Sequence, residues 1–417
     1  MNKPAYIASG IAINVLRFAL ALVFAFSGFV KAADPMGTVH KLTEYADLFG
    51  WTLHPALLLV AAWALIAIEY VMGVALFFGL YRRFYLGLMI AFLSVMTPLT
   101  LVLALTNPIS DCGCFGDALV LTHWQTLGKN VALLVMAIAV LIWHKRLWRV
   151  ISARTQWLVF VYAMLSVVLF MQNNLRHLPA WDFRPYAIGT NIIDGMTVPE
   201  EAPQDEYETL FVLEREGELR TFTFDDYPDD STWNLVRRES RLVRKGYTPP
   251  IEDFYLSTLD GEDVTWDVLE QPGYTFFLVA RNLKRTNEGM LDVINDLYDY
   301  AKVHNYAFYM LTSSNADVID VWNEHTGASY PYLNADETLL KTMIRANTGL
   351  MVLKDATIIG KWSAQDLPRD KQLNVPMERN EALTITLREV DARRMAAALW
   401  MLFPLLLLVV IDKCIRK

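Results

Sequence analysis

Apolar positions along the chain are bunched. Long hydrophobic runs occupy residues 11–32, 55–80, 84–105, 125–143, 156–171 and 395–411. Each is close to the roughly 20 residues that a helix needs to cross a bilayer. Inside hydrocarbon a helix satisfies its own backbone, so these runs predict a membrane helical bundle with a further C-terminal span. Residues 176–394 follow another rhythm. Leu210, Phe211, Val212 and Leu213, then Gly217, then Leu219, Phe222 and Phe224 predict a β-hairpin. Residues 225–245 are charged and read as irregular. From 251 an α/β alternation begins. A small hairpin is expected over 254–266 around Asp260-Gly261, and a buried strand over 274–280. A helix follows over 287–304, with Met290, Val293, Ile294, Leu297 and Ala301 on one face. Then come a strand over 306–312, helices over 317–324 and 336–345, and a hairpin of 349–353 with 357–362 about Lys354-Asp355.

The pattern divides the chain into a transmembrane helical domain (1–175), a linker with the hairpin (176–250), an α/β domain (251–365), a linker (366–394) and a C-terminal anchor (395–417). There is no internal repeat and no low-complexity tract. The first run is long and has no small-residue cleavage site after a short apolar core, so it reads as a retained anchor. The linker 178–186 is rich in proline and aromatic residues and is expected to lie near the membrane surface, with Trp181 and Tyr186 as interface anchors.

Composition agrees. Hydrophobic residues make up 54% of the 417, and mean hydropathy is +0.26. Residues 176–394 hold 38 of the 45 acidic and 23 of the 37 basic residues, a net of −15. That domain would repel phosphate, which argues against nucleic acid as a partner. The bases outside it gather at Lys3, Arg82–Arg83, Lys145, Arg146, Arg149 and Arg154, and Lys413, Arg416 and Lys417. The positive-inside rule therefore puts both termini in the cytoplasm and residues 176–394 in the periplasm of a bacterial inner membrane. Arg393–Arg394 is a minor contrary signal.

Two ionisable residues lie within apolar runs, Arg17 in the first and Glu69 in the second. An isolated carboxylate at that depth is costly, so a partner is expected, and Arg17 is the natural candidate. The pair reads either as a structural tie or as a proton- or quinone-facing group. Gly73 and Gly79 allow close helix approach.

Between the third and fourth runs, after Thr106-Asn107-Pro108, lies Asp111-Cys112-Gly113-Cys114-Phe115-Gly116-Asp117. The only other cysteine is Cys414. Orientation puts the Cys-Gly-Cys on the outer side, where disulfides persist. Two thiols one residue apart close a tight ring, with Gly113 supplying backbone freedom. Such a bond, strained and exposed, is labile and suited to exchange. Asp111 and Asp117 are expected to raise the thiol pKa, unless a following helix N-terminus offsets them. A static clip and a metal site are the alternatives. Two cysteines and one histidine, His123, are a poor zinc set, and none of the seven histidines is spaced to pair with another as a ligand. A single dithiol needs an external thiol or disulfide client. To complete a cycle it also needs an acceptor such as a quinone, for which no motif is visible.

The membrane part resembles the DoxX/MauE group of redox-associated membrane proteins. The residues that carry the likeness are Arg17…Phe26-Ser27-Gly28…Lys31, Glu69…Gly73…Gly79…Arg82 and Cys112-Gly113-Cys114-Phe115-Gly116, the last similar to the MauE subset. The resemblance implies a four-helix core, here with a fifth helix, and a link to thiol or sulfur-compound oxidation or to disulfide maturation of partners. Residues 251–365 resemble a thioredoxin-like domain, on the lead-in Asp253-Phe254-Tyr255-Leu256…Asp260-Gly261 and the strand at 274–280. Two positions depart from that pattern. Arg281-Asn282-Leu283-Lys284-Arg285 stands where Cys-x-x-Cys belongs, and Asn347-Thr348-Gly349 where a cis-proline belongs. This domain cannot exchange thiols itself. The whole arrangement is similar to uncharacterised DoxX-type proteins of Bacteroidetes. It implies either a thiol–disulfide oxidoreductase, with Cys112 and Cys114 acting on a periplasmic client docked by the domain, or a non-enzymatic scaffold with a structural disulfide.

Overall fold

A computed structural model describes residues 3–109, 111–215, 217–228, 232–244, 246–286, 288–327 and 329–415. Asn287, the expected start of one helix, and Lys245, Arg416 and Lys417 lie outside the described residues.

Among the described residues six helices are long and apolar enough to cross a membrane. They are α1 (Lys3–Ala33), α3 (Pro55–Phe78), α4 (Arg82–Thr106), α5 (His123–Ile142), α6 (Gln156–Arg176) and α12 (Leu387–Ile415), with the shorter α2 (Pro35–Leu48) after α1. The chain is a multi-pass membrane protein. One contiguous core, including Leu20, Phe24, Ile66, Met72, Leu86, Met89, Val140 and Val167, joins α1, α3, α4, α5 and α6, and α12 adds Met401 and Leu405 to it. α1 and α3 run antiparallel in close contact. A Cβ on Gly28 would sit 2.5 Å from the backbone nitrogen of Tyr70, and one on Gly73 would collide with the backbone of Ala25. These two glycines set the axial register of the pair.

One end of the bundle is basic. There Arg17 donates to the Trp148 carbonyl at 2.5 Å, Asn14 to the Arg146 carbonyl at 3.1 Å, and the Ser152 amide to Asp412 at 3.0 Å. The opposite end carries α2, the cysteine loop and the α/β domain. The basic loops and the α/β domain thus lie at opposite ends of the bundle, as the charge pattern requires.

After α6 come α7 (Ile192–Met196) and an antiparallel sheet of β1 (Glu206–Arg215), β2 (Glu218–Phe222) and β3 (Asn234–Arg244), in the order β2-β1-β3. The expected hairpin is β1 with β2, paired Phe211 to Phe222 through Arg215 to Glu218. β3 corrects the reading of 225–245 as irregular. Its run of arginines hides an extended segment, exposed throughout, that pairs with β1.

The α/β domain holds α8 (Thr265–Leu269), β4 (Tyr274–Val279), α9 (Leu291–Val303), β5 (Ala307–Thr312), α10 (Ala316–Thr326), β6 (Tyr332–Asn334), α11 (Glu337–Met343), β7 (Gly349–Lys354) and β8 (Thr357–Ser363). The sheet order is β6-β5-β4-β7-β8. β4, β5 and β6 are parallel, while β7 and β8 are antiparallel. β4 is central and buried on both faces, as its unbroken apolar run requires. The small hairpin expected at 254–266 shrinks to a single bridge of Ser257 with Asp263, because Thr265 turns the chain into α8. Tyr186 is a second correction. It is buried in this domain against Phe254, not at a membrane interface. Trp181 packs on Phe29 at 5.0 Å and on Phe170, closing the end of the bundle.

Candidate functional site

The site begins with a register effect. Because α1 and α3 approach through Gly28 and Gly73, Glu69 comes level with Ser27 and Lys31. Lys31 Nζ donates to both Glu69 oxygens, at 2.7 and 2.8 Å. Ser27 Oγ lies 2.8 Å from Glu69 Oε2 and 2.8 Å from the Cys114 carbonyl, so its proton has two acceptors. This corrects the expected Arg17–Glu69 pair. Arg17 is ten residues from Ser27 along α1, about 15 Å at 1.5 Å per residue. It lies at the basic end, on the Trp148 carbonyl and 4.3 Å from the Phe18 ring centroid. Lys31 had the nearer turn of the helix, and axial register decides between two cations.

The cysteine loop is pinned over this pair from both sides. Thr122 and Gln125 form a capping box at the start of α5, and His123 Nε2 meets the Ile109 carbonyl at 2.8 Å. Gly113 adopts φ +65°, and a side chain there would also strike Lys41 of α2. The Gly113 amide donates to Asp111 at 2.6 Å. Phe115 is buried against Phe26, with Lys129 Nζ 4.4 Å from its ring centroid.

Cys112 and Cys114 are half-buried, with Sγ atoms 2.8 Å apart. They face into the bundle end and not outward, unlike the exposed bond expected from the loop position. Cys112 Sγ is also 3.5 Å from Thr126 Oγ1. The hydrogen bond from Cys114, then that from Thr126, with the charge of Lys129, outweigh burial and lower the Cys112 thiol to about 6. The same sulfur contact, together with burial, pushes the Cys114 thiol up. The expected rise from neighbouring aspartates is therefore not what governs Cys112. Asp111 is engaged by Lys41 at 3.2 Å and Asp117 by Arg345 at 3.2 Å.

Beneath the sulfurs lies a cavity of about 340 Å³, walled by Phe24, Leu58, Leu65, Phe92, Met96 and Leu133. Glu69, Lys31 and Ser27 line it, as do Cys112, Cys114, Lys41 and Tyr45. Arg17 is not among its lining residues. Tyr45 donates to the Cys112 carbonyl at 3.2 Å. α2, which supplies Lys41 and Tyr45, went unread in the sequence. Its signal was Asp34-Pro35, a capping residue followed by proline at the first helical position.

The α/β domain is fastened over this end. Arg345 reaches Asp34 at 2.7 Å as well as Asp117. Lys361 and Arg184 both bind Asp182, each at 2.8 Å. Burial, with Arg345, Lys341 and Arg281 nearby, lowers His40 of α2 to about 4, against a smaller opposing effect of Asp34. At the end of β4 the amide of Asn282 donates to Asn347 at 3.0 Å, and Asn347 donates back to the Asn282 carbonyl at 3.2 Å. The Asn347–Thr348 peptide is cis. No cysteine occurs in 176–394, so the α/β domain carries no thiol. Cys414 is exposed in the last turn of α12, at the basic end. Among the described residues no three His, Cys, Asp or Glu side chains cluster as a metal set.

Residues 9–144 match the family of the methylamine utilisation protein MauE. Residues 207–245, the three-stranded sheet, match a family described only as a domain of unknown function. No curated protein matches the chain, and no solved structure does. The N-terminal region is thus MauE-like, and the match spans the helices that hold the cavity and the cysteine loop.

Proposed function

We propose that this protein is a membrane thiol–disulfide oxidoreductase, or the accessory subunit of one, in which Cys112 and Cys114 form the working dithiol. The observation that carries this reading is the placement of the pair: the two sulfurs lie 2.8 Å apart, half-buried, in a loop capped against α5 and above the cavity. Hydrogen bonding to the Cys112 sulfur lowers its thiol, which favours it as a leaving thiolate when a client opens the disulfide. In the oxidising direction a client thiolate attacks the Cys112–Cys114 disulfide. A second client thiol then displaces it, so the client gains a disulfide and the loop leaves as two thiols.

The α/β domain is read as a thioredoxin-like module that has lost its own cysteines and docks the client. Supporting this are three parallel strands followed by an antiparallel pair. The basic loops at the opposite end support cytoplasmic termini and a periplasmic position for the loop and for 176–394, in a bacterial inner membrane. The cysteine-free domain also favours a second reading, a scaffold that binds a partner while the loop disulfide is structural.

Thiol trapping in cells separates the two. The oxidoreductase reading expects Cys112 and Cys114 to move between reduced and oxidised forms, and one single-serine variant to capture a client as a mixed disulfide. A pair that stays oxidised under every growth condition, with both serine variants behaving as wild type, leaves the scaffold. Labelling of the loop from the cytoplasmic side alone would overturn the orientation.

A further inference from the structure

We propose that the cavity under Cys112 and Cys114 receives the head group of a membrane quinone, entering from the bilayer between α3 and α4. The inference rests on the dithiol reading and names the acceptor that it lacks. If the loop oxidises a client, Cys112 and Cys114 end as two thiols. Re-forming their bond releases two electrons and two protons, which an acceptor must take. In that step the S–S bond forms, and the electrons and protons reduce the quinone to quinol.

Position, mouth and floor argue for this occupant. Part of the wall comes from α3, Leu58 to Glu69, and from α4, Phe92 to Leu99, while α1, α2, the cysteine loop, α5 and residues 179–184 complete it. The α3 and α4 residues lie away from the tight turn that joins the two helices and give the cavity an apolar side within the span. Phe49, Trp51 and Leu53, in the connection from α2 to α3, also line it and are 51%, 59% and 39% exposed, which extends its apolar side to the surface beside α3. About 340 Å³ falls in the roughly 300–1,000 Å³ range of small-molecule sites. An acyl chain needs no polar floor. This cavity has one, in Ser27 Oγ and Lys31 Nζ on Glu69, which offers hydrogen-bond donors to a carbonyl and a carboxylate to a hydroxyl. Apolar walls with a few convergent polar groups are the usual make-up of such a site.

The test uses full-length protein in lipid nanodiscs, with decylubiquinone and an azido-ubiquinone analogue as probes. The expected result is photolabel on peptides covering 58–69 or 92–99, displaced by decylubiquinone. Under anaerobic conditions, decylubiquinone should oxidise the reduced Cys112–Cys114 pair with one quinol formed per pair. Ala61→Trp, placed at the mouth where side chains are exposed, should cut labelling at least tenfold, and Ala61→Ser should not. Cys112→Ser/Cys114→Ser should keep the label and form no quinol, which separates binding from chemistry and from misfolding. Labelling that palmitate displaces as well as decylubiquinone does would make the cavity a lipid crevice and overturn the inference. Exchange of the wild-type pair with oxidised glutathione is measured in parallel. If exchange occurs and neither label nor quinol appears, the quinone site is wrong and the dithiol reading survives. If exchange itself is absent, the dithiol reading fails first.

Discussion

Two buried lysine–carboxylate pairs sit on either side of the junction between bundle and α/β domain, and they are built differently. Lys361 donates to Asp182 at 2.8 Å and to the Tyr186 carbonyl at 2.9 Å, while Arg184 holds the same carboxylate. The Arg184 guanidinium also reaches the carbonyls of Lys341 and Thr342. Every charge there has a second tie, and the result is a clamp. Among the described residues Lys31 and Glu69 pair as ions only with each other, with the Ser27 hydroxyl beside them, and they border a cavity below two sulfurs. The same two functional groups thus serve as a fastener where they are saturated and as a reactive floor where space is left beside them. Burial alone would not have told the two apart.

The largest expected effect tests that contrast. Glu69→Ala leaves Lys31 buried without its anion, which should cost about 3–5 kcal/mol. Lys361→Met leaves Asp182 still paired with Arg184 and should cost only about 1.5–3 kcal/mol. Thermal unfolding in detergent reads both, and equal losses would erase the distinction. Gly73→Val comes next. Its side chain meets the Ala25 backbone and drives α1 from α3, at a cost of about 1–3 kcal/mol. It should also raise the alkylation of Cys114 by undoing the register under the loop. Unchanged stability would mean that something other than the glycines sets that register.

The third prediction concerns pH. With Cys112 lowered to about 6, its alkylation rate should be flat above that pH and fall about tenfold per unit below it, as the thiolate is protonated. Thr126→Val removes a hydrogen bond that favours the thiolate, so the midpoint should move upward. A wild-type midpoint near the ordinary thiol value of about 8.5 would mean that the contacts around Cys112 do not favour its thiolate. The smallest effect is at His40. It is neutral when docked and takes up a proton readily when free, so the free state binds more protons between its ordinary value and about 4. Docking of α2 against the α/β domain should therefore be at full strength above pH 6.5 and weaken as pH falls toward 4. Hydrogen exchange along Glu337–Met343 reads this, and His40→Gln should flatten the dependence.

The chain's own pattern settled the six spans, because a run of twenty apolar residues has few fates other than a bilayer-spanning helix. It settled the hairpin around Gly217, the buried β4 and the face of α9, all of which are local signals. It hid β3, whose arginines mask a pairing made across the sheet, and α2, whose mixed composition gave only a capping signal at Asp34-Pro35. It misdirected Glu69 toward Arg17, and Tyr186 toward the membrane. Those outcomes were left to the tertiary structure for one reason. Periodicity says which face of an element is apolar, while partner choice depends on how far one element slides along another. Here the close approach at Gly28 and Gly73 fixes that slide, and with it which lysine meets the carboxylate and what lies beneath the sulfurs.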